Sequence, residues 1–149
     1  MANKVYTVGT ATFAANTIPD ILSMDFSHGA DPNNFFCDGA IYSEFAWMEN
    51  IVERCTVNTT DFSIIISAGN FSPGDTGAVV QNFPQRAEGV GGKAASSTAL
   101  IATWVAGTML GPINPSASQA GENSLALPFI GISADGTTCP VSIALGTAA

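Results

Sequence analysis

Charge is scarce in this chain. Charged residues make up 11% of its 149 residues, against roughly 25% in a typical soluble domain. Bases are scarcer still: Lys4, Arg54, Arg86 and Lys93 stand against twelve acids, for a formal charge of −8. Phosphate grip depends on clustered Lys and Arg, so this balance argues against nucleic-acid binding, although not against nucleic acid passing close by. There is one histidine, His28, in a Gly-containing loop. Any Ser-His-Asp or Cys-His arrangement would have to rest on it, and no Ser sits in a nucleophile elbow. A His that faces solvent or packs within its loop is the simpler reading. Long apolar runs are missing too. The most apolar, Thr98 to Gly111, is about 14 residues, where a membrane span needs roughly 20.

The familiar ligand motifs fail on spacing. Gly89-Val-Gly-Gly-Lys93 looks like a phosphate loop, but Ala87 and Ala94 occupy the positions that need Gly and Ser or Thr. Asp31-Pro-Asn33 begins like a calcium loop, yet Phe35 stands at the next ligand position and the obligatory Gly is missing. Cys37, Cys55 and Cys139 are odd in number, widely spaced and without CxxC pairing. They are expected to be reduced, buried, structural thiols. No metal site and no cofactor is expected. The sequons Asn58-Thr-Thr60 and Asn70-Phe-Ser72 carry no weight without a secretory signal, which MANKVYTVGTATF does not supply. A cytosolic product is expected, with no membrane span.

What the chain has in plenty is apolar and small residues. Hydrophobic types reach 46%, and Gly, Ala, Ser and Thr fill most of the rest. Residues 1–149 are expected to form one structural domain, long enough to bury a core. A surface so poor in charge favours association, so the chain reads as a subunit.

The clearest local pattern lies at the end. Leu125 to Leu145 places two apolar runs around Ala-Asp-Gly-Thr, and Asp-Gly readily supplies the positive φ of a tight hairpin turn. In the second run Cys139, Val141, Ile143 and Leu145 fall on one face, the period of a half-buried strand. The first run is apolar on both faces and needs cover on both sides. Further strands are expected at Val5 to Phe13, Ile21 to Phe26, Cys55 to Thr60, Phe62 to Ser67 and Ala99 to Met109. Ala78 to Phe83 is read as a short strand or helix turn. His28 to Gly39, Gly69 to Gly77, Pro84 to Lys93 and Pro112 to Asn123 read as loops. Ile41, Phe45, Met48, Val52 and Cys55 recur at helical spacing, so a helix is expected over Ser43 to Glu53. On it, Glu49 and Glu53 would form a solvated face. The expected fold is mainly β, sandwich- or barrel-like, with one flanking α-helix and long loops.

Several of these stretches together resemble the major tail tube proteins of long-tailed bacteriophages. The likeness lies in the early strand pair, the Cys-Thr-Val-Asn-Thr-Thr-Asp segment from Cys55, the Gly-rich excursion and the Ala/Thr-rich strand. The pattern F-x-x-x-S-x-D-G-x-x-x-P completes it, with Phe129, Ser133, Asp135, Gly136 and Pro140. The resemblance implies stacked rings, hexameric in that family, that polymerise into a hollow conduit for DNA ejection. It implies contacts with copies of itself and with tape-measure, tail-terminator and distal tail proteins. The DNA would pass without specific binding, and the product would be assembled in the host cytoplasm and reside in the virion tail. Some of Asp20, Asp25, Glu44 and Glu49 then become candidate lumen acids, because they lie beside candidate strands. The Ser72 to Lys93 excursion becomes the expected inter-subunit loop, through Asp75, Arg86, Glu88, Gly89, Gly91, Gly92 and Lys93.

Two other classes also need no catalytic residues. A capsid decoration or spike β-sandwich would form compact trimers or pentamers in place of polymers. A small cytosolic binding module would use Trp47, Trp104, Phe129 and Phe83 around a pocket between sheets, although core packing explains those aromatics more simply. An enzyme is not expected, for want of convergent polar groups.

Overall fold

Period-two alternation of apolar with small polar side chains builds close to half of the described residues into antiparallel strands. The computed structural model describes residues 5–66, 71–86 and 94–147. In chain order the strands are β1 (Ala11–Phe13), β2 (Asn16–Thr17), β3 (Ile21–Ser27), β4 (Asn33–Phe35), β5 (Phe45–Trp47) and β6 (Arg54–Thr59). A four-residue helix α1 (Ser63–Ile66) follows. The remaining strands are β7 (Val79–Arg86), β8 (Ala94–Trp104), β9 (Met109–Leu110), β10 (Asn114–Ser116), β11 (Ser124–Ile130) and β12 (Val141–Gly146).

Two sheets face each other. One runs β12-β8-β7-β1-β2; the other runs β10-β11-β6-β3, with β9 also paired to β11. The core between them draws Phe13, Val79, Ala102 and Trp104 from the first sheet and Val57, Leu125, Leu127 and Phe129 from the second. Phe13 is its hub, with its ring centroid 5.0 Å from Phe129 and 5.8 Å from Phe71. Phe13, Trp104 and Phe129 are wholly buried, so their large apolar areas supply much of the burial that holds the sheets together. The mainly β, sandwich-like fold read from the sequence is the fold that forms.

The flanking helix over Ser43 to Glu53 does not form. Phe45–Trp47 is instead strand β5, paired with β4, and Asn50 takes a left-handed φ of 54° that a helix could not continue through. Every residue from 43 to 52 is exposed, so an amphipathic helix there would have had no core to cover. Conversely, Phe62 to Ser67 is not the expected strand over its described residues. Asp61 Oδ1 accepts the Ser63 N–H at 2.8 Å, an N-cap that starts the short helix α1. The Ser63 hydroxyl, and after it that backbone bond, hold the Asp61 carboxyl below its usual range.

The expected terminal hairpin does not form either. β11 already has both edges taken, by β6 on one side and by β9 and β10 on the other. β12 therefore pairs with β8 in the opposite sheet, and residues 131–140 cross between the sheets. The burial of β11 follows the notion of a covered strand only in part. Leu125, Leu127 and Phe129 are buried, whereas the opposite face is half-buried. β12 is an edge strand; beyond Val141 its apolar side chains Ile143 and Leu145 are exposed. Elsewhere β7 extends the expected strand at Ala78 to Phe83 as far as Arg86, while β4 and β10 form short pairs inside expected loops.

Candidate functional site

The chain leaves the sandwich at the end of β3 and returns at the start of β6, and what lies between is an arm. Ser27 pairs with Arg54 as the last rung of the β3–β6 ladder. From Asp31 to Val52 every residue but Ala40 is exposed. The arm is stiffened by its own small sheet, with Asn33 opposite Trp47 and Phe35 opposite Phe45. Its connection is pinned locally: the Ser43 hydroxyl lies 3.2 Å from Asn34 Oδ1 and 3.0 Å from the Phe45 carbonyl, and the Glu44 N–H donates to the Phe35 carbonyl at 3.0 Å. Phe45 and Trp47, two residues apart and so on one face, hold their rings 5.8 Å apart. Nine of the fifteen exposed large apolar side chains among the described residues fall on this arm, with Ile41 at 86% and Tyr42 at 83% exposure. An apolar concentration of this kind is uncommon on the surface of a soluble monomer.

At the root of the arm, directly beyond the Ser27–Arg54 rung, His28 Nδ1 meets Glu53 Oε2 at 2.9 Å. Glu53 Oε1 accepts the Gly29 N–H at 3.1 Å, and the Glu53 carbonyl accepts the Gly131 N–H at 2.9 Å. Glu53 is 4% exposed, a buried carboxylate, whereas His28 is 53% exposed. Burying a carboxylate is costly unless such partners compensate it.

The segment 131–140 faces this root. Asp135 organises it: Oδ1 accepts the Thr137 N–H at 2.8 Å, the Thr138 N–H at 2.7 Å and the Ser133 hydroxyl at 3.0 Å, while Oδ2 accepts the Thr138 hydroxyl at 2.7 Å. These bonds, those from Thr138 foremost, hold the Asp135 carboxyl far below the usual carboxylate range. Gly136 supplies the positive φ of 77° that the turn requires. The far end is tied by the Val105 N–H donating to the Pro140 carbonyl at 3.0 Å. Between arm root and loop lies a cleft of about 500 Å³ whose wall includes His28, Met48, Glu53, Thr138 and Cys139. Within it one ring nitrogen of His28, one carboxylate oxygen of Glu53 and Cys139 Sγ all lie within 4.8 Å of one another.

The residues expected from the sequence are distributed as follows. Ser133, Asp135 and Gly136 of the family-like pattern share the turn, Pro140 ends it, and Phe129 lies in the core instead. Asp20 (in the turn before β3) and Asp25 (on β3) are exposed, and Glu44 and Glu49 are exposed on the arm. Glu49 alone of the four borders the cleft. Asp75 accepts the Ser72 N–H at 3.0 Å in a local turn, and Arg86 ends β7 with its guanidinium 3.0 Å from Thr7 Oγ1. Between them runs the central strand β7, so Ser72 to Lys93 is not one loop; Glu88, Gly89, Gly91, Gly92 and Lys93 lie outside the described residues.

The cysteine expectation holds for Cys55 alone, whose thiol burial pushes far up; Cys37 and Cys139 are exposed, and all three are free. Beside Cys37 the Glu44 carboxylate accepts the thiol hydrogen bond and raises its pKa. Of the aromatics proposed for a pocket, Trp104 and Phe129 are core, Phe83 packs on Phe26 at 5.8 Å, and Trp47 is on the arm. The His28–Glu53–Cys139 grouping was not legible from spacing. Its sequence signal was a single acid at the start of a strand, Glu53, which the helical reading placed on a solvated face.

Among the described residues no helix is long and apolar enough to cross a membrane. No protein-family model matches the chain, and no curated protein matches it by sequence.

Proposed function

We propose that this chain is a virion structural protein, the subunit of a bacteriophage tail tube, which polymerises through stacked rings into a hollow conduit for DNA. One observation carries the reading: the exposed arm from Asp31 to Val52, hydrophobic out of proportion to a free surface. Leaving Ile41, Tyr42 and Phe45 in water forgoes roughly 1.5–3 kcal/mol for each large side chain that a neighbour could bury. A stiff hairpin carried outside the sandwich can lie across an adjacent subunit, and the exposed edge of β12 with Ile143 and Leu145 offers a second surface of the same character. An edge strand invites pairing with another chain unless it is blunted.

Charge supports the same reading. A net charge of −8 gives a bore that repels phosphate, so that DNA slides without sticking. In this assembly Asp20, Asp25, Glu44 and Glu49 are the exposed acids assigned to the lumen. Ring symmetry follows the six-fold arrangement of the family the sequence resembles, with tape-measure, terminator and distal tail proteins as end partners.

Negative-stain microscopy of the purified chain, concentrated at neutral pH, tests the proposal. Hollow tubes or stacked rings are the expected result. Discrete trimers or pentamers at every concentration would overturn it in favour of a decoration or spike protein. A monomer at every concentration would overturn assembly altogether.

A further inference from the structure

We propose that His28, Glu53 and Cys139 bind one divalent transition-metal ion, Zn²⁺ by the nature of the donors, between the root of the arm and the 131–140 segment. The three come from separate parts of the chain: His28 follows β3, Glu53 precedes β6 and Cys139 precedes β12. Their donor atoms nonetheless lie within 4.8 Å of one another. A tetrahedral Zn²⁺ with bonds of about 2.0–2.3 Å sets its donors about 3.3–3.6 Å apart. The His28–Glu53 separation of 2.9 Å is slightly shorter, so this pair opens by a few tenths of an ångström while Cys139 swings in. Thiolate, imidazole and carboxylate together suit Zn²⁺ better than Mg²⁺ or Ca²⁺, which take oxygen ligands.

Electrostatics favours the ion. Glu53 is buried, and its ion-pair partner among the described residues is His28, which carries charge only when protonated. A divalent cation with one carboxylate and one thiolate makes a neutral site, removing the cost of a buried negative charge. The surroundings are braced. Gly29 and Gly131 tether Glu53 by its side chain and its carbonyl, and the Asp135 turn immediately precedes Cys139. The cleft leaves room for water at the fourth position.

The same residues, taken as thiol, imidazole and carboxylate, also have the order of a nucleophilic relay. That chemistry needs N–H donors aimed at a developing oxyanion. Here the N–H groups of Gly136, Thr137 and Thr138 are committed to Ser133 and Asp135. A bound cation is the better use of the cluster. The site does not depend on the assembly reading, since it is complete within one chain.

The test is a titration of the full-length, metal-free, reduced chain with Co²⁺, followed by displacement with Zn²⁺. One equivalent of Co²⁺ should give the visible bands of a tetrahedral ion and a near-ultraviolet thiolate charge-transfer band, and Zn²⁺ should abolish both. Cys139→Ser should remove the charge-transfer band and weaken Zn²⁺ binding by roughly 10- to 100-fold or more. His28→Ala should weaken it comparably, while Cys37→Ser should change neither. Both His28 and Cys139 are exposed, so these variants report binding without the folding risk of altering Glu53. Absence of a thiolate band in the unaltered chain would overturn the proposal. So would a band that survives Cys139→Ser, or binding indifferent to His28→Ala.

Discussion

Glu53 holds His28 at 2.9 Å across the two strand ends from which the arm departs, and the same carboxylate holds the Gly29 N–H at 3.1 Å. One buried side chain thus closes the root of a long exposed excursion. The excursion would otherwise be tied to the sandwich on this side by the Ser27–Arg54 rung. Order at the base is what lets a hairpin with no core of its own present a defined surface.

Glu53→Ala should therefore destabilise the chain by about 1–3 kcal/mol, the range for losing the charge-assisted hydrogen bonds of a buried carboxylate. Glu53→Gln, which keeps an acceptor for Gly29, should cost less. Urea denaturation followed by tryptophan fluorescence measures both, since Trp104 is wholly buried. A change within experimental error for Glu53→Ala would mean that the arm root is held by the backbone alone.

The arm itself should separate assembly from folding. Ile41, Tyr42 and Phe45 are exposed at 86%, 83% and 63%, so Ser at all three should leave the stability of the isolated subunit within about 0.5 kcal/mol per site. Sedimentation velocity of the triple variant should show loss of the large species that the proposed assembly expects of the unaltered chain. Undiminished association would move the interface away from the arm, with β12 the next surface to alter.

The β1–β2 turn stores strain that can be relieved. Ala14 and Ala15 both sit at positive φ, 49° and 66°, where an L-residue with a Cβ pays about 1–2 kcal/mol. Such a two-residue turn suits the twist of a hairpin and favours Asn-Gly. Ala15 is exposed, so Ala15→Gly should raise the unfolding free energy by about 1 kcal/mol, visible as a higher urea midpoint.

What the sequence made legible was set by local period. β6 reads Cys55, Val57 and Thr59 inward, and β11 reads Leu125, Leu127 and Phe129 inward, as two-residue alternation requires. Partner choice is not local, so Asp135-Gly136 signalled a turn correctly yet could not say that β12 would cross to β8. The arm defeated the period argument for a related reason. Helical spacing predicts a buried face, and between Ile41 and Val52 the large side chains meet no core among the described residues. The cleft was hidden by distance: His28 and Glu53 stand 25 residues apart, joined because the β3–β6 register places them on adjacent strand ends. Only the register, not the spacing, brings them together.

Asp135 ties the stability of its turn to pH, and the sign follows from the hydrogen bonds it accepts. Four hydrogen bonds favour the charged form, so the folded pKa lies well below the unfolded value of about 3.9. The stability it contributes is fully present above that unfolded value and is lost as pH falls through the folded one. The Thr137 and Thr138 amides should accordingly stay protected from hydrogen exchange as pH passes below about 4 and lose protection only at markedly lower pH. Carboxyl NMR of Asp135 over the same range should show a midpoint below that of an unfolded peptide. In Asp135→Asn the amide cannot accept all four bonds, so protection of Thr138 should drop at neutral pH and cease to depend on acid. Because this turn runs directly into Cys139, the same variant should also loosen the wall of the cleft. A pH-independent Thr138 amide in the unaltered chain would show that the turn is held by backbone geometry and not by the carboxylate.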